Sequence, residues 1–511
     1  MPKVLSGAHW RNARRGLLCS SASLALSALL SGCGGNRSTR SGGSGGGPSP
    51  VPDPLTNPQP MPSGFIVSAA AVVTPVEIGS VGSNFLGLSF EKSILIARTL
   101  SVSNPDFLAR LKELGPGNLR IGGSSVDLVV WTPDGSGGQA DQLSKRDIEY
   151  FAIFVKASGW RVNYGINLAQ NTPEDAAEEA AFAAQQLGDS LDCFALGNEP
   201  DLYRNVFIAP DKTKNWSYSV FKSQWDLFRS AIVARVSTAK FSGPEAANNL
   251  ATYATPFAKS LDKTRLNLLT QHHYRIHGND PKSLDFLLTT PDPQLTLGSS
   301  VEPARLPTLK IAADDLGVPF RLTEVNSGID GGVPGISDVY GSALWALDLL
   351  LTAAKGGAEG VNFHSGGLVS YSPLGFEGSL LVEVRPAYYS YLLFKMMGQG
   401  KLLTATIEAG GANISVYAIQ SAGRVNTLFV NKDATQSFKV TLQLPSTPSK
   451  VTAIQLSGPG LTSKTGIEIQ GASVSVVNGL GTMGAPYSVS VHEQRATFYV
   501  PSLMAVLVTA V

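Results

Sequence analysis

The sequence predicts an α/β fold, a (β/α)8 TIM barrel followed by a C-terminal β-sandwich. Between residues 84 and 397, apolar runs of strand length alternate with runs of helix length, which is the rhythm of a parallel sheet. After residue 397 the helical runs stop, and short alternating apolar stretches with turn residues between them take their place. Eight strands in roughly 280 residues favour a closed barrel over an open sheet.

The composition allows a large folded protein and argues against some classes of function. The chain has 511 residues, 40 basic and 39 acidic side chains and 43% hydrophobic residues, which is enough for two folded units and a tail. The near-neutral charge argues against a nucleic-acid partner, which a basic surface would normally accompany. The glycine pairs at residues 122–123 and 331–332 lack the spacing of a phosphate-binding or dinucleotide-binding loop. We therefore expect no nucleic-acid partner and no cofactor.

The first 33 residues predict an exported lipoprotein. Basic residues up to Arg15 precede an apolar run from Leu17 to Leu30, which is typical of a secretory signal and too short for a membrane span. The run ends in Leu30-Ser-Gly-Cys33, which is similar to the lipobox of bacterial lipoproteins. An ordinary cleaved signal is the alternative. We expect Cys33 to carry the lipid and to hold the protein on the periplasmic or cell-surface side of a bacterial envelope, with no other membrane attachment.

Two further stretches connect this segment to the folded body. Residues 34–63 are rich in Gly, Ser, Pro and Asn, which predicts a flexible linker. Within residues 64–80 the chain becomes apolar and β-branched, which predicts a strand that joins the β-sandwich. We expect the barrel over residues 81–397 and the β-sandwich over residues 398–511.

The expected elements of the barrel differ in how clearly the sequence marks them. The fifth strand is the weakest. The helix after the third strand is clear, because Thr172 precedes a proline and two acidic residues. Cys193 lies in the fourth strand and is expected to be a packed core thiol without a disulfide. The expected strands are Phe85–Phe90, Leu119–Gly122, Val162–Asn167, Cys193–Gly197, Lys240–Ser242, Leu268–His272, Phe320–Thr323 and Gly360–Phe363, and the helices include Asn104–Leu114, Pro173–Leu187, Phe221–Ser237, Arg305–Leu316 and Ile336–Ala354.

No long helix is predicted beyond residue 400. Turn residues separate the apolar runs there, as in the β-sandwiches that follow many carbohydrate-active barrels. The expected strands are Ile414–Ile419, Val425–Val430, Phe438–Leu444, Val451–Leu456, Ala472–Val477, Tyr487–Val491 and Ala496–Tyr499.

Polar residues follow the expected barrel strands at the points where the strands end. Glu199 comes after the fourth apolar run, and Glu324 ends the seventh. Because the carboxyl ends of parallel barrel strands open onto one mouth, we expect these carboxylates on opposite walls of one cleft. Taken alone, Asn-Glu-Pro after a strand could equally be a turn. Other polar residues at strand ends are Glu91, Arg120, Asn198, Tyr274 and His364.

A pair of carboxylates in one mouth is typical of retaining glycoside hydrolysis. One acid must hold a proton for the leaving oxygen, and the other must stay ionised to attack the anomeric carbon. Asn198 could hydrogen-bond the sugar 2-hydroxyl, and Tyr274 could donate to the nucleophile. Arg120 is as consistent with a buried brace for either glutamate as with a substrate contact. His272 and His364 are interpreted as scaffold of the mouth rather than as catalysts.

The motifs at these strand ends are Ser-Phe-Glu91, Leu-Arg-Ile-Gly-Gly123, Gly-Asn-Glu-Pro200, His-His-Tyr274, Thr-Glu-Val-Asn-Ser327, Phe-His364 and Arg-Pro-Ala-Tyr-Tyr389. In this order they resemble glycoside hydrolase family 79, which lies within clan A of the retaining glycosidases and contains β-glucuronidases and heparanase. The resemblance implies an exo-acting enzyme on a carbohydrate substrate, with Glu199 as acid/base and Glu324 as nucleophile. It also implies that Asn198 holds the 2-hydroxyl. The implied sugar contacts are Glu91, Tyr274 and Tyr371.

The loop after Glu324 departs from the family pattern. The family's glucuronidases carry a tyrosine and a polar residue there, which help to hold the uronate carboxylate, whereas this chain has Ile329 and Asp330 before Gly331. An ionised aspartate would repel a substrate carboxylate, and isoleucine offers no hydrogen bond. We therefore expect activity on a neutral β-glucoside or β-galactoside to rival or exceed that on a glucuronide. Alternatively, the amides of Gly331 and Gly332 receive the carboxylate while Asp330 faces solvent.

Two other classes of function remain open. A surface lipoprotein that binds glycans without cutting them would keep the barrel and the sandwich, but it would not need both glutamates. A metal-dependent hydrolase is less favoured, because His272 and His273 are adjacent on a strand and point to opposite faces. No metal site is expected.

Overall fold

The computed structural model describes residues 56–203, 216–299 and 303–511. The expected signal segment with Cys33, and the expected linker up to residue 55, lie outside the described residues. Among the helices of the described residues, none has the length and apolar character needed to cross a membrane.

Eight parallel strands close into a barrel in their order along the chain, which confirms the expected TIM barrel. Each of the eight expected strands overlaps an observed one. The strands are mostly buried along their whole length, because side chains fill the barrel inside and helices cover it outside. In chain order the barrel strands are Leu86–Glu91, Asn118–Gly122, Arg161–Ile166, Leu191–Leu196, Phe241–Ala246, Leu268–Ile276, Phe320–Gly328 and Gly360–Ser365.

The helices cover the barrel and share its apolar core with the strands. Thr172 caps the helix after the third strand as expected, because its hydroxyl oxygen accepts a hydrogen bond from the Asp175 N–H at 3.1 Å. Cys193 is buried and free, as expected for a packed thiol. The helices are Ser93–Ile96, Pro105–Leu114, Lys145–Ser158, Pro173–Leu187, Tyr218–Arg235, Thr255–Lys259, Leu284–Leu288, Pro293–Thr296, Arg305–Leu316, Tyr340–Lys355 and Pro386–Met397.

The helix before the eighth strand begins at Tyr340, four residues later than the predicted start at Ile336. The N–H groups of Ile336 and Ser337 both donate to the Val333 carbonyl, so these residues form turns. Val339 then has an extended conformation and leads into the helix. The sequence pattern did not separate these turns from the helix, because the segment is apolar throughout.

The C-terminal domain is built on one continuous sheet of eleven strands. The strand Phe65–Val81 lies inside this sheet, antiparallel to Gly400–Glu408 and parallel to Gln436–Gln443. The sheet folds over on itself, since Phe429 and Phe498 lie on strands that are distant in the sheet order and yet have ring centroids 5.3 Å apart. The other strands of the sheet are Ile414–Ser421, Arg424–Asn431, Val451–Ser457, Glu468–Ile469, Tyr487–Ser488, Ser490–His492, Arg495–Val500 and Met504–Ala510.

One predicted strand of the C-terminal domain is wrong in its role. Residues 472–477 were expected to form a strand of the sandwich, but only Val474–Ser475 is extended, and it pairs with Gly479–Leu480 in a separate small ladder. Leu480 and Ser475 contact the first long helix of the barrel, where Glu113 accepts from the Leu480 N–H at 2.7 Å. This segment therefore forms a hairpin that packs against the barrel.

Polar contacts as well as apolar ones join the sheet to the barrel. The hydroxyl of Tyr340 donates to the carbonyls of Leu456 and Leu503 in the sheet, at 3.0 and 2.8 Å. On the same helix, Asp348 forms an ion pair with Lys432, whose side chain is fully buried. Tyr340, Asp348 and Lys432 are thus buried polar groups that find their partners across the boundary between barrel and sheet.

Candidate active site

Glu199 stands at the mouth of the barrel, just beyond the fourth strand. Its backbone is left-handed, with φ of 49°, and its N–H donates to the Glu245 carbonyl at 2.9 Å. The N–H of Asn198 donates to the Asp127 carboxylate at 2.9 Å. Gly197 has φ of 80°, and a Cβ there would lie 2.4 Å from a tyrosine hydroxyl, so the position requires glycine. The Gly-Asn-Glu sequence is therefore held in one conformation by its surroundings.

Glu324 lies in the seventh strand, almost buried at 6% exposure, on the opposite side of the mouth. The Tyr274 hydroxyl donates to its Oε1 at 2.8 Å, and Arg120 donates to its Oε2. Burial disfavours the charged form, but the surrounding cations outweigh that effect and hold the pKa of Glu324 well below its usual range. These cations are His364, His272 and Arg120. Glu324 is thus kept as a carboxylate.

Glu199 has the opposite electrostatic environment. Its pKa is raised, first by burial and then by the negative charge of Glu324, although the hydrogen bond with His272 works against the rise. The Glu199 Oε1 lies 2.9 Å from the His272 Nδ1. About a fifth of the Glu199 side chain remains exposed, at 21%, so its carboxyl is accessible from the cleft. Of the two glutamates, Glu199 is the one that holds a proton more readily.

The two carboxyl groups are close together. One oxygen of Glu199 and one of Glu324 lie within 4.8 Å of each other. In retaining glycosidases the two carboxyl groups are about 5–5.5 Å apart, whereas inverting enzymes need roughly 6.5–9.5 Å to admit a water. A proton-holding acid beside an ionised carboxylate at this spacing is the arrangement for displacement through a covalent glycosyl intermediate.

Arg120 is buried and bonded to other residues of the site, which favours the brace over the substrate contact that the sequence left equally open. It is 1% exposed, and its guanidinium contacts the carboxylates of Glu324 and Glu245. It also donates to the Asn198 Oδ1 at 2.7 Å. A Cβ on Gly122 would lie 2.2 Å from the Arg120 Cζ, so the glycine in the second strand gives the guanidinium its room. Both terminal nitrogens of the Arg120 guanidinium are thus bonded within the protein, whereas its buried Nε has no hydrogen-bond partner among the described residues.

Asn198 keeps one polar group for a ligand. Its Oδ1 accepts from Arg120, while its Nδ2 has no hydrogen-bond partner among the described residues. The side chain is fixed in direction by the arginine, and its amide N–H groups remain available to donate to a substrate oxygen.

Glu91 is hydrogen-bonded to the loop that follows the second barrel strand. The Glu91 carboxylate accepts from the N–H groups of Ser124 and Ser125, at 3.3 and 2.7 Å. A Cβ on Gly123 would lie 2.4 Å from this carboxylate, which explains the glycine there. Burial opposes ionisation of Glu91, but His364 and the serine contacts lower its pKa. With 37% of its side chain exposed, Glu91 still presents a carboxylate oxygen to the mouth.

Tyr371 and Tyr274 form one wall of the mouth. Their ring centroids are 6.2 Å apart, and each is less than a tenth exposed. Burial and the neighbouring Glu324 raise the pKa values of both hydroxyls, so both remain hydrogen-bond donors. The expected residues Glu199, Glu324, Tyr274, Tyr371 and Asn198 are therefore brought together in this cleft.

The loop after the seventh strand turns back toward Tyr371. The Gly332 N–H donates to the Ile329 carbonyl at 3.0 Å, and the Gly331 carbonyl accepts from the Tyr371 N–H at 3.2 Å. Asp330 lies at the tip of this turn with φ of 55° and an exposed side chain. Among the described residues, the Gly331 N–H has no acceptor. The loop thus presents both a negative charge and a backbone donor.

The sequence pattern did not single out Glu245, a third buried carboxylate below the mouth. It stands near the end of the fifth strand and contacts Arg120 and His272, at 3.1 and 3.2 Å. Burial opposes its charge, but these two cations lower its pKa to about 2. The signal that could have revealed it is weak, because Gly243-Pro-Glu245 does not have the composition of a strand.

Glu199, His272 and Glu324 form a group with the residue types of a metal site. Both ring nitrogens of His272 already contact carboxylates, one from Glu199 and one from Glu245. His273 points to the other face, toward Asp292, as expected for neighbours on a strand. The donor atoms of the group therefore bind one another, which favours a proton-holding network over a metal centre.

No family model matches the chain. In sequence it is similar to a β-glucuronidase of Aspergillus niger, with 26% identity over 420 residues, 72% of this chain and 77% of that protein. It is also similar to heparanase of Gallus gallus, with 21% identity over 414 residues, 66% of this chain and 73% of that protein. The resemblance expected from the strand-end motifs is confirmed by these relatives.

Solved structures show the same architecture. A 4-O-α-L-rhamnosyl-β-D-glucuronidase from Fusarium oxysporum 12S matches with a TM-score of 0.72 and 19% identity, covering 87% of this chain and 100% of that chain. A family 51 arabinofuranosidase from Xanthomonas axonopodis pv. citri matches with a TM-score of 0.66 and 15% identity, covering 87% and 100%. At these identities the likeness shows the fold.

Proposed function

The chain is a retaining β-glycoside hydrolase of the β-glucuronidase type, and from that premise we propose that it removes terminal β-linked sugars with Glu199 as acid/base and Glu324 as nucleophile. The assignment rests on two carboxyl groups that have oxygens within 4.8 Å of each other and pKa values shifted in opposite directions. The pKa of Glu199 is raised and that of Glu324 is lowered. A rival glycan-binding function without cleavage does not require this pair.

In the proposed reaction the Glu324 carboxylate attacks the anomeric carbon while Glu199 gives its proton to the leaving oxygen. The glycosidic bond breaks, and an ester forms between Glu324 and the sugar. Glu199, now ionised, then takes a proton from a water that attacks the anomeric carbon and releases Glu324. Tyr274 and Arg120, which hydrogen-bond Glu324, hold its carboxylate in place for the attack.

The side chains around the pair supply substrate contacts in this proposal. Asn198 offers its amide N–H groups to the sugar 2-hydroxyl, a contact that strengthens in the transition state. Glu91 accepts from a ring hydroxyl through its exposed oxygen. Tyr371 contributes a buried hydroxyl donor and an aromatic wall.

We further propose that the sugar is a glucuronide. The Gly331 N–H, which has no acceptor among the described residues, would donate to the carboxylate on carbon 5. The exposed position of Asp330 supports this assignment, because water screens an exposed charge more strongly than a buried one. The similarity to β-glucuronidases points the same way.

A neutral β-glucoside or β-galactoside is the second candidate. It is favoured by the Asp330 charge, which is close enough to contribute to the raised pKa of Tyr371 in the mouth. A hydroxymethyl group could donate to that carboxylate, whereas a uronate would be repelled by it.

The two candidates differ in a measurable ratio. We expect kcat/KM for an aryl β-glucuronide to exceed that for the matching β-glucoside in the wild type. The isosteric substitution Asp330→Asn should leave this preference in place. A glucoside preference that reverses in Asp330→Asn would instead support the neutral sugar. Asp280→Asn, in the loop after the sixth strand, is a matched control for loss of one carboxylate charge.

The proposed roles are tested by substitution of the pair. Glu324→Ala should abolish turnover, and added azide should restore reaction with an activated aryl glycoside and give an α-glycosyl azide. Glu199→Gln should lower activity by orders of magnitude for poor leaving groups and less for activated ones, because the latter need little protonation. A β-glycosyl azide from Glu324→Ala, or ordinary turnover by that variant, would overturn the assignment.

Export with a lipid on Cys33 is a separate proposal. It is supported by the basic start, the apolar run and the Leu30-Ser-Gly-Cys33 sequence. Wild-type protein expressed in a bacterium should sediment with membranes and enter the detergent phase, whereas Cys33→Ala should lose the lipid. Release of unlipidated wild-type protein into the medium would contradict the proposal.

A further inference from the structure

The two-carboxylate reaction gives no task to the buried carboxylate of Glu245. Glu245 lies below the mouth with 1% of its side chain exposed and a left-handed backbone, φ 59°. Such a conformation is unfavourable for a residue other than glycine, and strained positions of this kind cluster at functional sites. The Thr323 hydroxyl donates to its Oε2 at 2.8 Å, and that of Ser242 donates to its Oε1 at 3.3 Å.

His272 connects this carboxylate to the acid/base. Its ring is fully buried, with Nδ1 2.9 Å from the Glu199 Oε1 and Nε2 3.2 Å from the Glu245 Oε2. Glu245 is held ionised, so it acts only as an acceptor. Nε2 also lies 3.1 Å from the Arg120 Nη2, which is itself a donor, so Glu245 is the acceptor for a proton on Nε2, and Nδ1 faces Glu199. A histidine oriented by a carboxylate on its far nitrogen is a recurrent way to set the state of the near one.

We propose that Glu245 is a positioning residue for the acid/base: through His272 it holds the Glu199 carboxyl in place and sets how strongly that carboxyl keeps its proton. This inference rests on the proposed role of Glu199. It assigns to the fifth strand a part in the reaction that the strand-end motifs do not indicate.

The charged groups that act most strongly on the pKa of His272 belong to this mouth. Burial lowers the pKa of His272, and Arg120 on the second strand acts in the same direction. The three carboxylates outweigh both and raise it to about 9. They are Glu324, Glu199 and Glu245, on the seventh, fourth and fifth strands. At neutral pH the imidazole is therefore protonated, and it stabilises the Glu199 carboxylate that forms when the leaving group departs.

The first test measures the protonation of the His272 ring directly. In ¹⁵N-labelled wild-type protein, the His272 ring, assigned by its absence in His272→Gln, should be protonated on both nitrogens at neutral pH and titrate above pH 8. In Glu245→Gln the titration should move to lower pH by at least one unit. A neutral His272 ring in the wild type at neutral pH would overturn the proposal without any variant of Glu245.

The second test measures the effect on the pKa of Glu199 from the pH dependence of kcat/KM. If His272 loses its proton at lower pH, Glu199 has a neighbouring cation over less of the pH range, so the alkaline limb of kcat/KM should move to higher pH in Glu245→Gln. Asp292→Asn is the matched control, because it removes a carboxylate from His273, the neighbour that points to the other face. In the control variant, the alkaline limb of kcat/KM and the titration of His272 should occur at the same pH as in the wild type.

These outcomes separate the inference from the proposed function. An unchanged alkaline limb in a folded Glu245→Gln protein, or an equal shift in Asp292→Asn, would overturn the role of Glu245 alone. Normal turnover by Glu324→Ala would overturn the proposed function, and the His272 titration would still report the pairing because it does not depend on turnover.

Discussion

At the scale of residues, the site consists of identical side chains that are made different by their neighbours. Glu199 and Glu324 share one chemistry in water. In the barrel, Arg120 and Tyr274 donate hydrogen bonds to Glu324. Burial and the negative charge of Glu324 instead raise the pKa of Glu199. Each of the two donors comes from a different strand, so the difference between the two acids is a property of the closed barrel.

The opposite pKa shifts of Glu199 and Glu324 predict how the activity depends on pH. Activity needs Glu324 ionised and Glu199 protonated, so kcat/KM should be bell-shaped. Because the pKa of Glu324 is lowered, the acidic limb should lie below about pH 4.3, the ordinary value for glutamate; because that of Glu199 is raised, the alkaline limb should lie above it. The profile of an activated aryl glycoside in Glu199→Gln should lose the alkaline limb. An alkaline limb that persists there would assign it to another group.

The sequence could indicate some of these residues and not others. Glu199 and Glu324 follow apolar runs, so strand counting alone brings them to one mouth. Glu245 follows a glycine and a proline, and its strand was predicted to end at residue 242, which hid the third carboxylate. The choice between brace and substrate contact for Arg120 depended on distances across several strands, which no spacing in the sequence encodes.

At the scale of elements, the second strand shows how a barrel strand positions a side chain. Arg120 and Gly122 point the same way along the strand, and the guanidinium lies over the glycine because no Cβ stands there. The expected Leu-Arg-Ile-Gly-Gly motif thus has a physical basis. Apolar composition alone does not reveal where turns interrupt a segment. The helix that starts at Tyr340 and the short hairpin at Val474–Ser475 are the two examples.

This arrangement predicts the effect of one methyl group. Gly122→Ala should displace the Arg120 guanidinium from Glu324, since the new Cβ would lie 2.2 Å from the Cζ. A misplacement of about 1 Å can cost on the order of 10²-fold in rate, so we expect a loss of that size in kcat/KM. Gly82→Ala is the control, because a Cβ there meets nothing within 4 Å. Full activity in Gly122→Ala would show that Arg120 does not position the site.

At the scale of the whole molecule, the contacts between the barrel and the sheet include a buried ion pair. Asp348 on a barrel helix meets Lys432, which is fully buried, and the Tyr417 hydroxyl donates to the same aspartate at 3.1 Å. Removing one partner of a buried pair leaves an uncompensated charge, which costs more than losing an exposed pair. The boundary was predictable from composition, but this pairing across it was not, since nothing local links the two residues.

We predict that Lys432→Met lowers the free energy of unfolding by about 3–5 kcal/mol, measured by urea denaturation. The double variant with Asp348→Leu should recover much of the loss, because the orphaned charge is removed as well. Lys401→Met, whose pair with Glu77 is exposed, should cost less than about 1 kcal/mol. An equal loss in both lysine variants would contradict the special weight of the buried pair.

The position of Phe65–Val81 inside the C-terminal sheet has a consequence for the order in which the molecule can form. During synthesis this strand leaves the ribosome before the barrel, yet its neighbours Gly400–Glu408 and Gln436–Gln443 leave it after the barrel. Pairing across such a separation closes a very long loop and is slow. The barrel therefore has time to fold while the strand waits unpaired, and a chain interrupted before residue 436 leaves one side of that strand open to association with other chains.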